Sequence, residues 1–98
     1  MKRVRLLAEA RIELLRETAY YENARKGTGR RFREAVAEVF TRVVAFPKAG
    51  APYEVDTRRA VVKGFPFTIV YKEASDEIII FAIAHDKRLP GYWLSRSE

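Results

Sequence analysis

The chain has no cysteine, a single histidine, one tryptophan and no long apolar run. The absence of cysteine excludes disulfides, thiol catalysis and cysteine-zinc sites, and one histidine cannot build a multi-histidine metal centre. No segment approaches the roughly 20 apolar residues that a membrane-spanning helix needs. The basic start of the chain is interrupted by Glu9 and Arg11 before a signal-peptide core could form. We therefore expect a cytoplasmic protein without a metal or cofactor.

The chain is short and basic. Its 98 residues, 48% of them hydrophobic, predict a single domain over residues 1–98 with one core. The net charge of +6 favours a polyanion or an acidic protein as partner. Two clusters concentrate this charge, and we interpret each as solvated surface or as a surface that binds a target or a nucleic acid: Arg25, Lys26, Arg30, Arg31 and Arg33, then Arg58, Arg59 and Lys63.

The first half of the chain has the apolar spacing of two helices, at residues 9–26 and 29–45. Gly27 breaks the pattern between them, so the helices should form an antiparallel hairpin. The first helix is expected to bury one stripe: Ile12, Leu14, Leu15 and Ala19. The second helix has a stronger stripe: Phe32, Val36, Val39, Phe40 and Val43. The acidic side chains of both helices are interpreted as solvated surface, without paired-carboxylate chemistry: Glu9, Glu13, Glu17, Glu22, Glu34 and Glu38.

The second half has the spacing of strands, predicted at residues 58–63, 67–72 and 77–84, with a further strand at residues 4–7. The short connection at residues 73–76 predicts an antiparallel hairpin. The last strand is apolar on both faces, as in a central strand covered on both sides. We therefore predict an α+β fold of order β-α-α-β-β-β, with a helical hairpin on a mostly antiparallel sheet.

The run from Phe81 to Trp93 gathers the only histidine with basic and aromatic residues. RNA cleavage by the neighbouring 2′-hydroxyl needs a proton acceptor, a cation at the phosphate and an acid for the leaving oxygen. His85 could act as base or acid, Tyr92 could stack on a base or donate a proton, and three arginines could supply the cation: Arg58, Arg59 and Arg88. Strand alternation predicts one face shared by Ile79, Phe81, Ile83 and His85. The alternative interpretation is structural, with His85 ending a strand and Tyr92 and Trp93 plugging the core.

Several motifs resemble those of the RelE/ParE superfamily of toxins. They are Ala19-Tyr-Tyr-Glu22, the Gly27-Thr-Gly29 break before Phe32, Phe46-Pro47 with Gly50, Arg58-Arg59, Phe65-Pro-Phe67 with Ile69 and Tyr71, and the ending Ala84-His85-Asp-Lys-Arg88-Leu-Pro90-Gly-Tyr92-Trp93. The resemblance extends from about Val4 to Trp93 and implies the RelE/ParE-like fold. It also implies a type II toxin, of the kind linked to plasmid stabilisation, that a cognate antitoxin neutralises.

The resemblance leaves the target open between two branches. Ribosome-dependent mRNA endonucleases (mRNA interferases) of the superfamily imply Arg59, His85 and Tyr92 as catalytic residues. The ParE-like branch implies inhibition of DNA gyrase and no nuclease site. The strand at residues 61–72 lacks a dense basic run, and Tyr92 follows a Pro-Gly break, so the chain is closer to the ParE-like branch. A third interpretation is a non-toxic homologue that acts as a binding module.

The resemblance also implies partners for the exposed edges of the sheet. An edge at residues 4–7 or 58–62 could be completed by a strand of the antitoxin or by a second copy of the toxin, which would give a higher-order complex. In either branch the binding residues would be basic: Arg25, Lys26, Arg30, Arg31, Arg33, Arg58, Lys63 and Arg88.

Overall fold

The computed structural model describes residues 2–98 as two helices packed on one face of a five-stranded sheet. The elements are β1 (Arg3–Leu6), α1 (Ala8–Ala24), α2 (Thr28–Ala45), β2 (Ala51–Pro52), β3 (Arg58–Val62), β4 (Phe67–Glu73) and β5 (Glu77–His85). The strand order is β1-β5-β4-β3-β2, with β1 parallel to β5 and every other pair antiparallel. The predicted α+β fold and the hairpin of β4 and β5 are confirmed.

The two predicted edge strands, at residues 4–7 and 58–62, have different positions in the sheet. β1 is an edge strand, as the sequence predicts. The short strand β2, which was not predicted, pairs with Arg58 and Arg59 and covers the start of β3. Only the remainder of β3 is therefore an edge.

The main core lies between the helices and the sheet and is apolar. Four of the five residues of the predicted α2 stripe are buried, with Phe32 fully enclosed, and Phe40 is partly buried. The ring of Phe32 lies 5.1–5.2 Å from the rings of Tyr21, Phe65 and Phe67. Tilted and edge-on contacts of this kind add to the burial of apolar area. The cluster fixes the helical hairpin on the sheet.

Helix α1 buries a different stripe from the predicted one. Its buried residues are Ala10 and Glu13, with Leu14 and Tyr21 partly buried. The apolar residues of α1 fall into two stripes, the predicted one and a second one formed by Ala10, Leu14 and Tyr21. The small side chain of Ala10 suits the face that packs closest to the sheet. The expectation of a surface position for Glu13 is wrong. Three residues expected in the core are instead exposed: Ile12, Leu15 and Ala19.

A β-bulge in β5 changes which side chains face the helices. The pairing with β4 shifts between Val70 and Tyr71, and this leaves Phe81 without a partner in β4. A bulge inserts one residue and shifts the alternation of side chains beyond it. Ile83 therefore joins the helix-side core, and His85 lies on that side too. The predicted shared face is therefore divided at the bulge: Ile79 and Phe81 lie on the face opposite the helices, whereas Ile83 and His85 lie on the helix side.

Residues 86–98, here called the C-terminal segment, cover part of the other face of the sheet. Trp93 is 2% exposed, and its ring lies 6.0 Å from that of Phe81 and 5.8 Å from that of Tyr53. Successive turns fold the segment back, with the N–H of Leu94 donating to the carbonyl of Gly91. Trp93 thus closes a second, smaller core.

Two side chains replace a missing strand beside the second half of β5. β1 pairs with the first half only and ends at Leu6. Beyond it, the N–H of Ile83 donates to Oε1 of Glu13 at 3.0 Å, and Arg96 donates to the carbonyl of Phe81 at 2.8 Å. Arg96 also pairs with Glu13 at 2.8 Å. Backbone groups that β1 does not reach are therefore satisfied, and α1 is tied to the C-terminal segment.

Candidate functional site

A cleft of about 220 Å³ lies between strands β3 to β5 and the C-terminal segment. Its floor comes from the sheet face opposite the helices, and its far wall comes from the turns around Trp93. The structure brings four predicted residues together here: Arg59, His85, Arg88 and Tyr92. The other lining residues are Tyr53, Thr68, Val70, Ala84, Asp86, Leu89, Pro90, Gly91 and Trp93.

Two arginines of the cleft are stacked on tyrosine rings. The guanidinium carbon of Arg59 lies 4.9 Å from the centre of the Tyr53 ring. That of Arg88 lies 3.8 Å from the centre of the Tyr92 ring. Such contacts hold a guanidinium in place without neutralising its charge. Neither arginine forms an ion pair within residues 2–98, so both can bind an anion.

His85 stands at the rim of the cleft with its ring against the helix-side core. It is the cross-strand partner of Phe67, and the two ring centres are 5.0 Å apart. Its Nδ1 accepts a hydrogen bond of 3.0 Å from the backbone N–H of Lys87. The neutral ring then carries its proton on Nε2. His85 therefore has a defined structural contact, and its catalytic role stays a prediction.

The hydroxyl of Tyr92 is engaged by a carboxylate. It donates to Oε2 of Glu13 at 2.7 Å. Burial raises the pKa of Tyr92 well above its ordinary value, and the hydrogen bond to Glu13 raises it further. A phenol whose proton is held in this way is a weak acid at neutral pH. The ring of Tyr92 still forms a wall of the cleft beside Arg88.

Glu13 is the centre of a buried polar network. Glu13 is 4% exposed, and its carboxylate accepts four hydrogen bonds, two of them from Arg96 and one each from Tyr92 and the N–H of Ile83. Burial raises the pKa of Glu13, but these donors outweigh burial and hold the pKa below its ordinary value. Hydrogen bonds to Glu13 also raise the pKa of Arg96. The carboxylate is therefore a structural anion; we call these residues, with the carbonyl of Phe81, the Glu13 network.

The roles of Glu13 and Arg96 were not predicted from the sequence. Glu13 repeats with Glu9 and Glu17 at a spacing of four, which is typical of a solvated helix face. A signal was present, because two apolar residues of the buried face of α1 flank Glu13: Ala10 lies one turn before it and Leu14 directly follows it. Arg96 carries no such signal, since it contacts Glu13 across 83 residues of chain.

The first predicted basic cluster lies away from the cleft, at the turn between the helices and the first turns of α2. We call it the basic hairpin surface, and all of its side chains are exposed: Arg25, Lys26, Arg30, Arg31 and Arg33. None of them lines the cleft. Arg30 pairs with Glu34 at 3.2 Å, and both side chains remain largely in solvent. The surface therefore presents a cationic end of the hairpin.

The second basic cluster separates into three positions. Arg58 donates to the carbonyls of Gly50 at 2.8 Å and Lys48 at 3.3 Å, so it stabilises the loop before β2. Lys63 is exposed just after β3. Of this cluster only Arg59 lines the cleft.

Two further findings concern residues 2–98 as a whole. No helix in this part of the chain is long and apolar enough to cross a membrane. No group of three or more histidine or acidic side chains within the same residues is arranged to hold a metal ion.

The structure is similar to one titled "Chromosomal ParDE TA system from P. aeruginosa", with a TM-score of 0.74 and 21% sequence identity over 87% of this chain and 96% of that chain. The family described as "ParE toxin of type II toxin-antitoxin system, parDE" matches residues 4–90. The chain therefore belongs to the ParE toxin family. A comparison with curated protein sequences finds no match.

Proposed function

We propose that this chain is a cytoplasmic toxin that stops growth by binding DNA gyrase, and that a cognate antitoxin neutralises it. The choice of gyrase as the target rests on one observation, the hydrogen bonding and packing of the side chains in the cleft. Its two arginines can hold an anion, but the hydroxyl of Tyr92 is bonded to Glu13 and the ring of His85 packs on Phe67. The cleft is thus suited to binding and poorly suited to proton transfer.

Cleavage of RNA, unlike inhibition by binding, requires two positioned proton-transfer groups. A positioned base must take the proton of the 2′-hydroxyl, and a positioned acid must protonate the leaving oxygen. Tyr92 would have to lose its carboxylate partner before it could donate a proton elsewhere. His85, at the rim of the cleft, would have to give up its contact with Phe67 before its ring could move further into the cleft. Inhibition by binding requires neither rearrangement.

The basic hairpin surface is the proposed contact with gyrase or with the DNA that gyrase holds. Its five cations are exposed, and they account for much of the net charge of +6. Cations on one surface speed association with a polyanion and strengthen binding at low salt. Charge reversal there should therefore weaken the toxin without unfolding it.

One observation favours a second candidate, ribosome-dependent cleavage of mRNA. Arg59 and Arg88 flank the same cleft without carboxylate partners among residues 2–98, as a phosphate-binding site would require. In that case Arg59, His85 and Tyr92 would be the catalytic residues. Substitution of His85 separates the two candidates.

Inducible expression with two measurements on the same cells tests the proposal. Plasmid topology reports trapped gyrase cleavage complexes, and primer extension reports cuts in translated mRNA. We expect trapped complexes and no codon-linked cuts, with the same result for His85→Ala. Cuts within translated codons at normal supercoiling would contradict gyrase as the target. Growth restored by co-expression of a candidate antitoxin would support the proposed neutralisation.

A further inference from the structure

The two arginines of the cleft are held by aromatic rings and not by acids. Arg59 and Arg88 are exposed, and each guanidinium lies over a tyrosine ring. The lining includes the carboxylate of Asp86, which accepts a hydrogen bond of 2.9 Å from Thr68 and forms no ion pair within residues 2–98. Two guanidiniums and one carboxylate leave the cleft with an excess of positive charge. The cleft therefore suits an anion with several acceptor oxygens.

Positive charge continues from the cleft to one end of the sheet. Strands β3 and β5 are both antiparallel to β4, so they end at the same end of the sheet. An exposed lysine follows each of them, Lys63 after β3 and Lys87 after β5, and Arg88 comes next in the chain. Cations placed along a surface attract a chain of regularly spaced anions more than they attract one small anion. The ligand is therefore a polyanion that places one of its charges in the cleft.

Exposed apolar side chains beside these cations favour a single strand over a duplex. Leu89 lines the cleft and is 80% exposed. Val61 is 67% exposed and shares a sheet face with Arg59, because both alternate with residues of the helix-side core, Ala60 and Val62. The bases of a duplex are stacked inside it, whereas those of a single strand are free to pack on apolar, aromatic and arginine side chains.

We propose that the cleft binds one phosphodiester of a single-stranded nucleic acid. Arg59 and Arg88 donate to its two non-bridging oxygens, and the neighbouring bases pack on Leu89 and Val61. This inference rests on the proposed function in one respect, because it takes the cleft as a site of binding without proton transfer. It adds a ligand class for the cleft, separate from the contact proposed for the basic hairpin surface.

Fluorescence anisotropy of a labelled oligodeoxythymidine of about 12 nucleotides, titrated with the purified chain without gyrase, tests the proposal. This probe has no 2′-hydroxyl, so it reports binding alone. Arg59→Ala and Arg88→Ala should each weaken binding at least about ten-fold, because each removes charge-assisted hydrogen bonds to the phosphate. Arg59→Lys and Arg88→Lys keep the charge but lose the planar fork, and should weaken binding at least about three-fold.

The matched controls are Arg42→Ala and Arg42→Lys. Arg42 is exposed on α2, does not line the cleft and forms no ion pair among the described residues, 2–98. Both controls should bind within about two-fold of the original chain, because a distant exposed charge is largely screened by salt. Losses at Arg42 equal to those at Arg59 and Arg88 would mean diffuse attraction and would overturn the site.

The other outcomes separate this inference from the proposed function. No binding, or binding that all four cleft substitutions leave unchanged, would overturn the site and leave the trapping of gyrase standing. Equal affinity for a duplex of the same length, or for a glutamate peptide with the same dependence on Arg59 and Arg88, would also overturn it. Oligonucleotide binding through the cleft without trapped gyrase complexes would overturn the proposed function alone.

A second measurement decides if a substituted chain melts early. Nuclear magnetic resonance of the unsubstituted chain follows the side-chain Nε–H signals of its arginines during titration with the same oligonucleotide. Shifts at Arg59 and Arg88 support the site. Shifts confined to the basic hairpin surface contradict it.

Discussion

The two faces of the sheet are stabilised by different interactions. On the helix side, rings and branched side chains pack around Phe32 in an apolar core. On the other side, Trp93 closes a smaller core, and the C-terminal segment is tied down by the buried pair of Glu13 and Arg96. The cleft lies on this second face. The surface that carries the candidate site therefore depends on polar contacts that the general core does not need.

The largest expected effect is on the helix side. Phe32→Ala removes a fully buried ring from contact with three aromatic neighbours and should lower the free energy of unfolding by about 3–5 kcal/mol. Urea denaturation followed by circular dichroism measures it. Phe46→Ala is the control, because that ring is 67% exposed, and its effect should stay within about 0.5 kcal/mol. Equal losses for the two variants would contradict the described core.

The next effect is on the Glu13 network. Glu13→Ala leaves Arg96, whose side chain is 12% exposed, without its carboxylate, together with Tyr92 and the N–H of Ile83. Breaking a buried pair from one side costs about 3–5 kcal/mol when the partner charge stays buried, and about 2–4 kcal/mol is expected here because Arg96 can swing toward solvent. Urea denaturation again gives the value.

A double-mutant cycle tests whether Glu13 and Arg96 stabilise the fold as one network. Arg96→Ala should also be destabilising, and the double variant should lose less than the two single losses added together, because both act on one network. Additive losses would mean that Glu13 and Arg96 are not coupled. Nuclear magnetic resonance spectra should show the C-terminal segment shifting more than α2 in either variant.

Lowering the pH should weaken the stabilisation by the Glu13 network. The pKa of Glu13 is lower in the folded protein than in the unfolded chain, so its stabilisation is present at neutral pH and is lost as the pH falls through the folded-state pKa. The stability difference between the original chain and Glu13→Gln should therefore narrow as the pH is lowered. Glu73 and Glu77 also have lowered pKa values, but they titrate in both proteins. A constant difference from neutral to acid pH would contradict an ionised Glu13.

The smallest effect is expected for an ion pair in solvent. Arg30 and Glu34 are one helical turn apart on α2, and their side chains are 83% and 63% exposed. Arg30→Ala should change the free energy of unfolding by no more than about 0.5 kcal/mol. A thermal melt at low and high salt measures it. A loss comparable to that of Glu13→Ala would remove the distinction between the buried and the exposed pair.

The sequence predicts the packing of a helix well where that helix has only one apolar stripe. Helix α2 has a single strong stripe, and its residues pack in the core as expected, with only Phe40 partly buried. Helix α1 has two stripes, and only the packed sheet determines that Ala10 faces inward while Leu15 does not. The spacing of apolar residues along a helix does not determine which of two stripes packs on the sheet.

The candidate site is less predictable for the same kind of reason. Residues that are close in sequence, such as His85 and Arg88, are correctly expected near one another. The bulge at Phe81, which turns His85 toward the helix side, has no marker such as glycine. The contact between Glu13 and Arg96 joins the two ends of the chain, and it arises because β1 is shorter than β5. Such contacts follow from tertiary structure alone.

The most direct test of the account uses purified DNA gyrase, supercoiled plasmid and the purified chain, with linear DNA measured after detergent and protease treatment. We expect trapped cleavage complexes at equal levels for the original chain and for His85→Ala, because inhibition by binding through the basic hairpin surface needs no proton transfer at the cleft. Absence of linear DNA with the original chain, or its loss in His85→Ala alone, would contradict it.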